Sequence, residues 1–70
     1  MNTKKRFYTF GWGQAHHING FTYDPNIVVE ITSDDPRGVM FETFGRRWSM
    51  EYDELPDLSF YPRGVVKLDV

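Results

Sequence analysis

The stretch SDDPRGVMFETFG, residues 33–45, has the pattern of one short helix. A serine or aspartate side chain before Pro36 can accept hydrogen bonds from the free amides of a first helical turn, and proline is tolerated in that turn. Gly45 suits the left-handed backbone with which many helices end. The stretch therefore predicts a helix that begins within Ser33–Pro36 and runs to about Phe44.

The apolar residues of this helix recur at spacings of one, three and four and should form a single buried stripe. They are Val39, Met40, Phe41 and Phe44, which leaves Arg37, Glu42 and Thr43 for solvent. Asp34 and Asp35 form an adjacent carboxylate pair, but acidic residues at a helix start are explained by capping. We interpret this pair as a cap and not as an acid–base pair.

Alternation of apolar with polar residues predicts strands around the helix. The first strand covers Phe7–Trp12 and the second covers Ile27–Thr32, and these two should pair antiparallel; Phe21–Tyr23 can extend the second strand. The third covers residues 47–52, with Trp48, Met50 and Tyr52 on its buried side, and the last covers Val65–Leu68. The order β-β-α-β-β predicts an α+β domain, with a mainly antiparallel sheet and one helix packed on one face.

The chain length limits the stability that a single copy can reach. The 70 residues suit one domain, residues 1–70, in which we expect residues 1–5 to be a flexible basic tail. A chain of this size buries only roughly 60% of its unfolded surface. Without cysteine, neither disulfide bonds nor cysteine-ligated zinc can add stability. The aromatic content is sufficient for two sheet faces, so we expect the second face to be an interface in a homodimer or higher homo-oligomer.

The charge balance excludes further classes of protein. Eight Lys and Arg residues against ten Asp and Glu residues give a net charge of −2, too close to zero for a general nucleic-acid-binding protein. The basic N-terminus is not followed by the apolar segment of an export signal, and no run approaches the roughly 20 apolar residues of a membrane span. We therefore expect a soluble, intracellular protein without membrane contact.

The segment Phe10–His17 concentrates aromatic rings, two glycines and two histidines at the start of a long connection, residues 12–26. Long connections inside small domains are often functional. Gly11-Trp12-Gly13 has two interpretations: a loop whose backbone amides approach an anion, or a tight turn with Trp12 in the core. Exposure of the Trp12 indole distinguishes them.

His16 and His17 have three interpretations. They are ordinary polar residues, contacts to a ligand or partner, or metal ligands together with Asp24. Neighbouring residues of an extended chain point in opposite directions, and no metal-binding spacing is present, so the metal interpretation is the weakest. We expect neither a metal nor a cofactor.

Arg46-Arg47-Trp48 places two guanidinium groups beside an aromatic ring, a combination that can grip phosphate and stack on a base. Basic residues after a helix also balance its partial negative charge, so the structural explanation is preferred. Arg47, which should alternate outward, is the better candidate for binding. No serine or cysteine nucleophile motif is present, so we expect no enzymatic activity and no catalytic residue.

Two segments resemble small proteins of unassigned activity that bacteriophages carry. One contains Tyr8-Thr9-Phe10-Gly11 and continues to His16, and the other is the block 39–52 with the pattern Met-Phe-x-x-Phe-Gly-x-x-Trp. The resemblance implies an origin in a phage genome and expression in the cytoplasm of a bacterial host. It also implies action by binding, either to a host machine such as a CRISPR complex or to a nucleotide signal of host immunity.

We therefore expect a non-enzymatic binding protein that inhibits a host bacterial system. A nucleotide would require the glycine loop, His16 or His17, and Arg47 to converge on a concave, partly polar pocket at a subunit interface. A host protein would require a flat aromatic patch flanked by charges such as Asp53 and Glu54. The alternative is a minor structural or assembly protein that acts through self-association. The candidate binding residues are Gly11, Trp12, Gly13, His16, His17, Tyr23 and Arg47.

Overall fold

A computed structural model describes residues 2–68, which form a four-stranded sheet, a two-stranded hairpin and one α-helix. The elements are β1 (Lys4–Thr9), β2 (His16–Ile18), β3 (Phe21–Tyr23), β4 (Val28–Ser33), α1 (Pro36–Phe44), β5 (Met50–Tyr52), a 3₁₀ turn (Leu58–Phe60) and β6 (Val65–Lys67). The large sheet has the order β5-β1-β4-β6; β4 and β6 are parallel, and the other neighbours are antiparallel. The predicted α+β class, with a mainly antiparallel sheet and one helix, is confirmed.

The helix α1 has the predicted bounds and capping residues, although Gly45 does not adopt the predicted left-handed helical backbone. Asp35 is the N-cap, and its carboxylate accepts the Gly38 N–H at 3.1 Å, with Pro36 as the first helical residue. Gly45 ends the helix with φ +65° and ψ −133°, a backbone that favours glycine, and its N–H donates to the Phe41 carbonyl at 3.0 Å. None of the helices within residues 2–68 is long and apolar enough to cross a membrane.

The first strand begins and ends earlier than predicted. β1 pairs with β4 over six residues, and Lys4 and Lys5 lie opposite Ser33 and Thr32. The prediction of a flexible tail is therefore wrong for these two lysines, because their backbone groups pair while their side chains extend into solvent. Met1 of that tail lies outside the described residues. β1 ends at Thr9, before the glycines.

The long connection after β1 contains an unpredicted hairpin. β2 and β3 pair antiparallel, and Asn19 and Gly20 form the turn with φ +51° and +79°. Positive φ at both central residues is the geometry of a type I′ turn, for which Asn-Gly is a preferred sequence. The prediction that Phe21–Tyr23 extends the second strand is therefore wrong, because this segment forms half of the hairpin.

The main core lies between the large sheet and α1. Residues that face each other on neighbouring antiparallel strands share one side of the sheet, so the pairings of Tyr8 with Val29 and with Glu51 place these three side chains on the helix side. The buried core residues are Tyr8, Phe10, Tyr23, Ile27, Val29, Ile31, Met40 and Phe44. The sequence pattern placed Met50 and Tyr52 on the buried side of β5; instead, Glu51 faces the helix.

The opposite face of the sheet is covered, although it was predicted to be an open interface. Phe7, Thr9 and Val28 point to this face and are only 7%, 3% and 0% exposed. The chain between β5 and β6, residues 53–64, has to pass from one edge of the sheet to the other. Tyr52 shares this face with Phe7, and burial and then the neighbouring Tyr61 raise the pKa of Tyr52, so the crossing chain lies against the face opposite α1.

Candidate interaction surface

Trp12 stands at the tip of a tight turn that follows β1. The Gln14 N–H donates to the Gly11 carbonyl at 3.1 Å, and Gly13 has φ +81°, a backbone that favours glycine. The Trp12 side chain is 92% exposed, the largest exposed apolar side chain of the described residues. The backbone is therefore a tight turn, but the exposed indole contradicts the interpretation that places Trp12 in the core.

The turn is fastened to the connection between α1 and β5. The Ser49 N–H donates to the Thr9 carbonyl at 2.9 Å, and the Ser49 hydroxyl donates to Gln14 Oε1 at 2.7 Å. The Arg47 guanidinium donates to the Gly13 carbonyl. A Cβ atom at Gly11 would lie 2.6 Å from Ser49 Oγ, so a larger residue would displace this hydroxyl from its hydrogen bond to Gln14. Gly11 thus has a packing role that differs from an anion-binding loop.

His16 and Tyr23 pack between this region and the core. The His16 ring packs against both Phe10 and Phe44, with centroid distances of 5.6 and 5.0 Å. Its Nε2 is 2.8 Å from the Arg47 carbonyl, and because a carbonyl can only accept, this nitrogen carries the proton. Tyr23 is only 8% exposed and packs on Phe44 at 5.0 Å. The prediction that Tyr23 belongs to the binding surface is wrong, because β3 turns this ring into the core.

His17 points away from His16, as the strand alternation predicted. Its Nδ1 lies 2.9 Å from the Thr22 hydroxyl on the solvent side of the β2–β3 hairpin. The structure therefore does not bring the two histidines together. No group of three His, Cys, Asp or Glu side chains that could hold a metal ion occurs within residues 2–68.

An open groove lies beside the turn and is lined by Phe41, Arg46, Trp48 and Ser49. Its volume is about 530 Å³. Phe41 and Trp48 form one wall with ring centroids 5.4 Å apart. Trp48 is held by an edge-to-face contact with Tyr8 at 5.1 Å and by its Nε1–H, which donates to the Gly45 carbonyl at 3.1 Å. Ser49 connects this groove to the Trp12 turn through Gln14.

We call the exposed and half-buried residues of this region the aromatic–arginine surface. It consists of Trp12, Phe41, Arg46, Arg47 and Trp48. The two segments that carry most of it, residues 10–17 and 45–50, contain two arginines and no carboxylate. A cationic surface with three aromatic rings has the composition of an interaction site, because Trp and Arg are the residues most enriched where binding energy is concentrated.

Phe41, Arg46 and Trp48 were not among the predicted site residues. The predicted stripe on α1 included Phe41, but the buried residues Pro36, Met40 and Phe44 are spaced by four and form one row along the helix. Phe41 lies about 100° around the helix from Met40, which leaves it 47% exposed. Counting in steps of four from Pro36 would have placed Phe41 outside the core.

A second polar cluster lies at the other end of α1. The Tyr8 hydroxyl donates to Glu51 Oε2 at 2.6 Å, and Arg37 donates to Glu51 Oε1 at 2.7 Å. These hydrogen bonds, from Arg37 and then Tyr8, hold the pKa of Glu51 below its ordinary value. Burial and then the hydrogen bond to Glu51 raise the pKa of Tyr8. Each group of the cluster has a partner, so the cluster fastens α1 to β5.

Searches of protein-family models, curated proteins and solved structures found no match to this chain.

Proposed function

We propose that this chain is a non-catalytic protein-binding domain whose aromatic–arginine surface covers an apolar, acidic area of a partner protein. The observation that carries the proposal is the Trp12 side chain, which is 92% exposed. Five hydrogen bonds order its turn, either within the turn or to the 45–49 connection. Burying an indole normally stabilises a fold, so an exposed tryptophan on an ordered turn favours a role in binding.

The proposed partner is a host bacterial protein, and the proposed effect is inhibition. The phage resemblance of residues 8–16 and 39–52 supports this setting, in which the protein acts in the host cytoplasm and covers part of a defence machine such as a CRISPR complex. Inhibition by covering a surface needs no catalytic group, and it suits a small domain that presents one aromatic patch.

The test is capture of a bacterial protein by the immobilised chain, with two matched variants. Trp12→Ala removes the exposed indole, and Phe60→Ala removes another exposed aromatic ring, 75% exposed, from the chain that crosses the opposite face. We expect the captured protein to be lost with Trp12→Ala and retained with Phe60→Ala. Capture that Trp12→Ala retains in full would contradict the proposed surface.

The groove supports a second candidate, the sequestration of a nucleotide. Its volume of about 530 Å³ lies in the range of small-molecule sites, and it combines the Phe41 and Trp48 rings with the Arg46 guanidinium. In this version a base stacks on the rings and a phosphate pairs with arginine.

Thermal-shift and calorimetric titration with linear and cyclic nucleotides test the second candidate. We expect one nucleotide to raise the melting temperature of the wild type and of Lys5→Ala, an exposed control, but not of Arg46→Ala. The absence of a response across the panel would eliminate sequestration and leave protein binding unaffected.

A further inference from the structure

A second exposed apolar region lies on the chain that crosses the sheet. Phe60, Leu55 and Leu58 are 75%, 49% and 37% exposed. The 3₁₀ turn holds this region in shape, because Asp57 accepts the Ser59 N–H through its carboxylate at 2.9 Å and the Phe60 N–H through its carbonyl at 3.2 Å. Phe60 is therefore presented to solvent by ordered backbone. We call residues 53–60 the acidic–apolar segment.

The charges of this segment are opposite to those of the aromatic–arginine surface. Asp53, Glu54 and Asp57 lie within eight residues, and residues 53–62 contain no lysine or arginine. The Asp53 side chain is 85% exposed and its carboxylate is 3.6 Å from Arg6, a loose pair that leaves the oxygen atoms accessible. One copy of the chain therefore carries an apolar region with carboxylates and, elsewhere, aromatic rings with guanidinium groups.

The two regions lie on different parts of the molecule. Phe41 of the aromatic–arginine surface belongs to α1, which packs on one face of the sheet, while the crossing chain starts at the β5 edge, where Asp53 pairs with Arg6, and reaches Tyr61 beside Tyr52 on the other face. A single copy therefore cannot place one region on the other. Two copies can, with the segment of the first against the surface of the second.

We infer that this chain associates head to tail, with the acidic–apolar segment of one copy docked on the aromatic–arginine surface of the next. The inference rests on the proposed function, since it uses the same surface. Such a contact leaves a free region at each end of a dimer, so growth beyond the dimer is expected. Because few residues take part and the charges are exposed, the association is weak and decreases with salt.

Head-to-tail association would also regulate the proposed binding. The docked segment occupies the surface that a partner protein needs, so the assembled form cannot bind a partner at that position. The partner and a second copy compete, and dilution favours the partner.

Sedimentation of two complementary variants tests the inference. The first, Trp12→Ala with Arg46→Glu, changes only the surface; the second, Glu54→Lys with Phe60→Ser, changes only the segment. All four side chains are exposed, and circular dichroism checks that both variants fold. We expect the mass of the wild type to rise above 8.3 kDa with concentration and to fall back in high salt. Each variant alone should remain a monomer, while an equimolar mixture should form a dimer that does not grow.

Three results would overturn the inference: a wild type that stays monomeric, a mixture that stays monomeric, or a single variant that associates as the wild type does. Capture of a bacterial protein separates this failure from failure of the proposed function. A monomeric wild type whose capture still depends on Trp12 would refute self-association alone. Capture that does not depend on Trp12 would refute the proposed function, whether or not sedimentation shows that the chain self-associates.

Discussion

The two tryptophans of this chain have opposite environments. Trp12 makes no packing contribution to the core, whereas Trp48 contacts Tyr8 and Phe41 and donates to the Gly45 carbonyl. The same type of side chain is thus exposed to solvent at position 12 and packed against neighbouring rings at position 48. The difference can be measured, because removal of each indole should affect stability in proportion to its burial.

We predict that Trp12→Ala changes the free energy of unfolding by less than about 0.5 kcal/mol and that Trp48→Ala lowers it by about 2 kcal/mol. The smaller figure follows from 92% exposure, and the larger from the loss of a half-buried ring and a hydrogen bond. Urea titration followed by far-ultraviolet circular dichroism measures both. A loss of stability with Trp12→Ala equal to that with Trp48→Ala would show that the indole of Trp12 is packed in solution.

Residue types indicated the turn at Trp12 but not the exposure of its side chain. The two glycines around Trp12 predict a tight turn of the backbone, and the structure contains that turn. Whether an indole packs inward depends on what lies opposite, and the place beside Phe10 is taken by His16 and Phe44. That arrangement depends on contacts between residues far apart in sequence, which a local pattern does not contain.

At the scale of elements, the β2–β3 hairpin depends on its turn. Asn19 and Gly20 both have positive φ, which other residues adopt with strain. We predict that Gly20→Ala lowers the free energy of unfolding by roughly 1–2 kcal/mol, since a Cβ atom disfavours this backbone. Asn19→Gly is the control and should change stability little, because glycine adopts positive φ readily. Equal effects of the two substitutions in a denaturation series would rule out the turn as the cause.

The orientation of β5, in which Glu51 and not Met50 or Tyr52 faces the helix, makes the stability of the fold depend on pH. Glu51 faces the helix and its folded pKa lies below the ordinary 4.5, so the unfolded chain binds a proton at higher pH than the folded chain does. The stability that Glu51 contributes is therefore present above about pH 4.5 and is lost as the pH falls through the folded pKa.

We predict that Glu51→Gln lowers the free energy of unfolding at neutral pH and weakens its decrease between about pH 5 and pH 3, because this ionisation is removed. Urea titration at several pH values measures the profile. The exposed Glu54→Gln serves as the control and should follow the wild type. A Glu51→Gln profile parallel to that of the wild type would mean that other carboxylates cause the acid sensitivity.

The elements differ in how fully the sequence specifies them. The helix followed from its caps, Asp35 and Gly45, because capping is a local interaction. The hairpin could also have been predicted, since Asn19-Gly20 between His16–Ile18 and Phe21–Tyr23 is a strong local signal. The orientation of β5 could not have been predicted from the sequence, because Glu51 faces inward only where Arg37 and Tyr8 supply partners for its carboxylate.

At the scale of the whole molecule, the chain covers its sheet from both sides. The helix α1 crosses one face between β4 and β5, and residues 53–64 cross the other between β5 and β6. The strands β1 and β4 are therefore central within the sheet and shielded on both faces, while β5 and β6 each have one free edge. Protection from solvent should decrease from the centre to these edges.

We predict that native-state hydrogen exchange is slowest for amides of residues 6–9 and 28–31, which pair within the centre of the sheet. Amides of the outer edge of β5 and of the 3₁₀ turn should exchange earlier, through local opening. Nuclear magnetic resonance measures each amide separately. Slowest exchange in the β2–β3 hairpin would mean that the hairpin, and not the β1–β4 pair, is the most stable unit.

The hydrogen bonds that fasten the Trp12 turn also affect the entropy of any association through this residue. Ser49, Gln14 and Arg47 already restrict the backbone of residues 11–14 in the free protein. A mobile loop would lose about 1–2 kcal/mol of backbone entropy per residue on contact, whereas here mainly the two side-chain torsions of Trp12 remain to be ordered. A small contact area can then give measurable affinity, and encounter needs no preceding rearrangement of the loop.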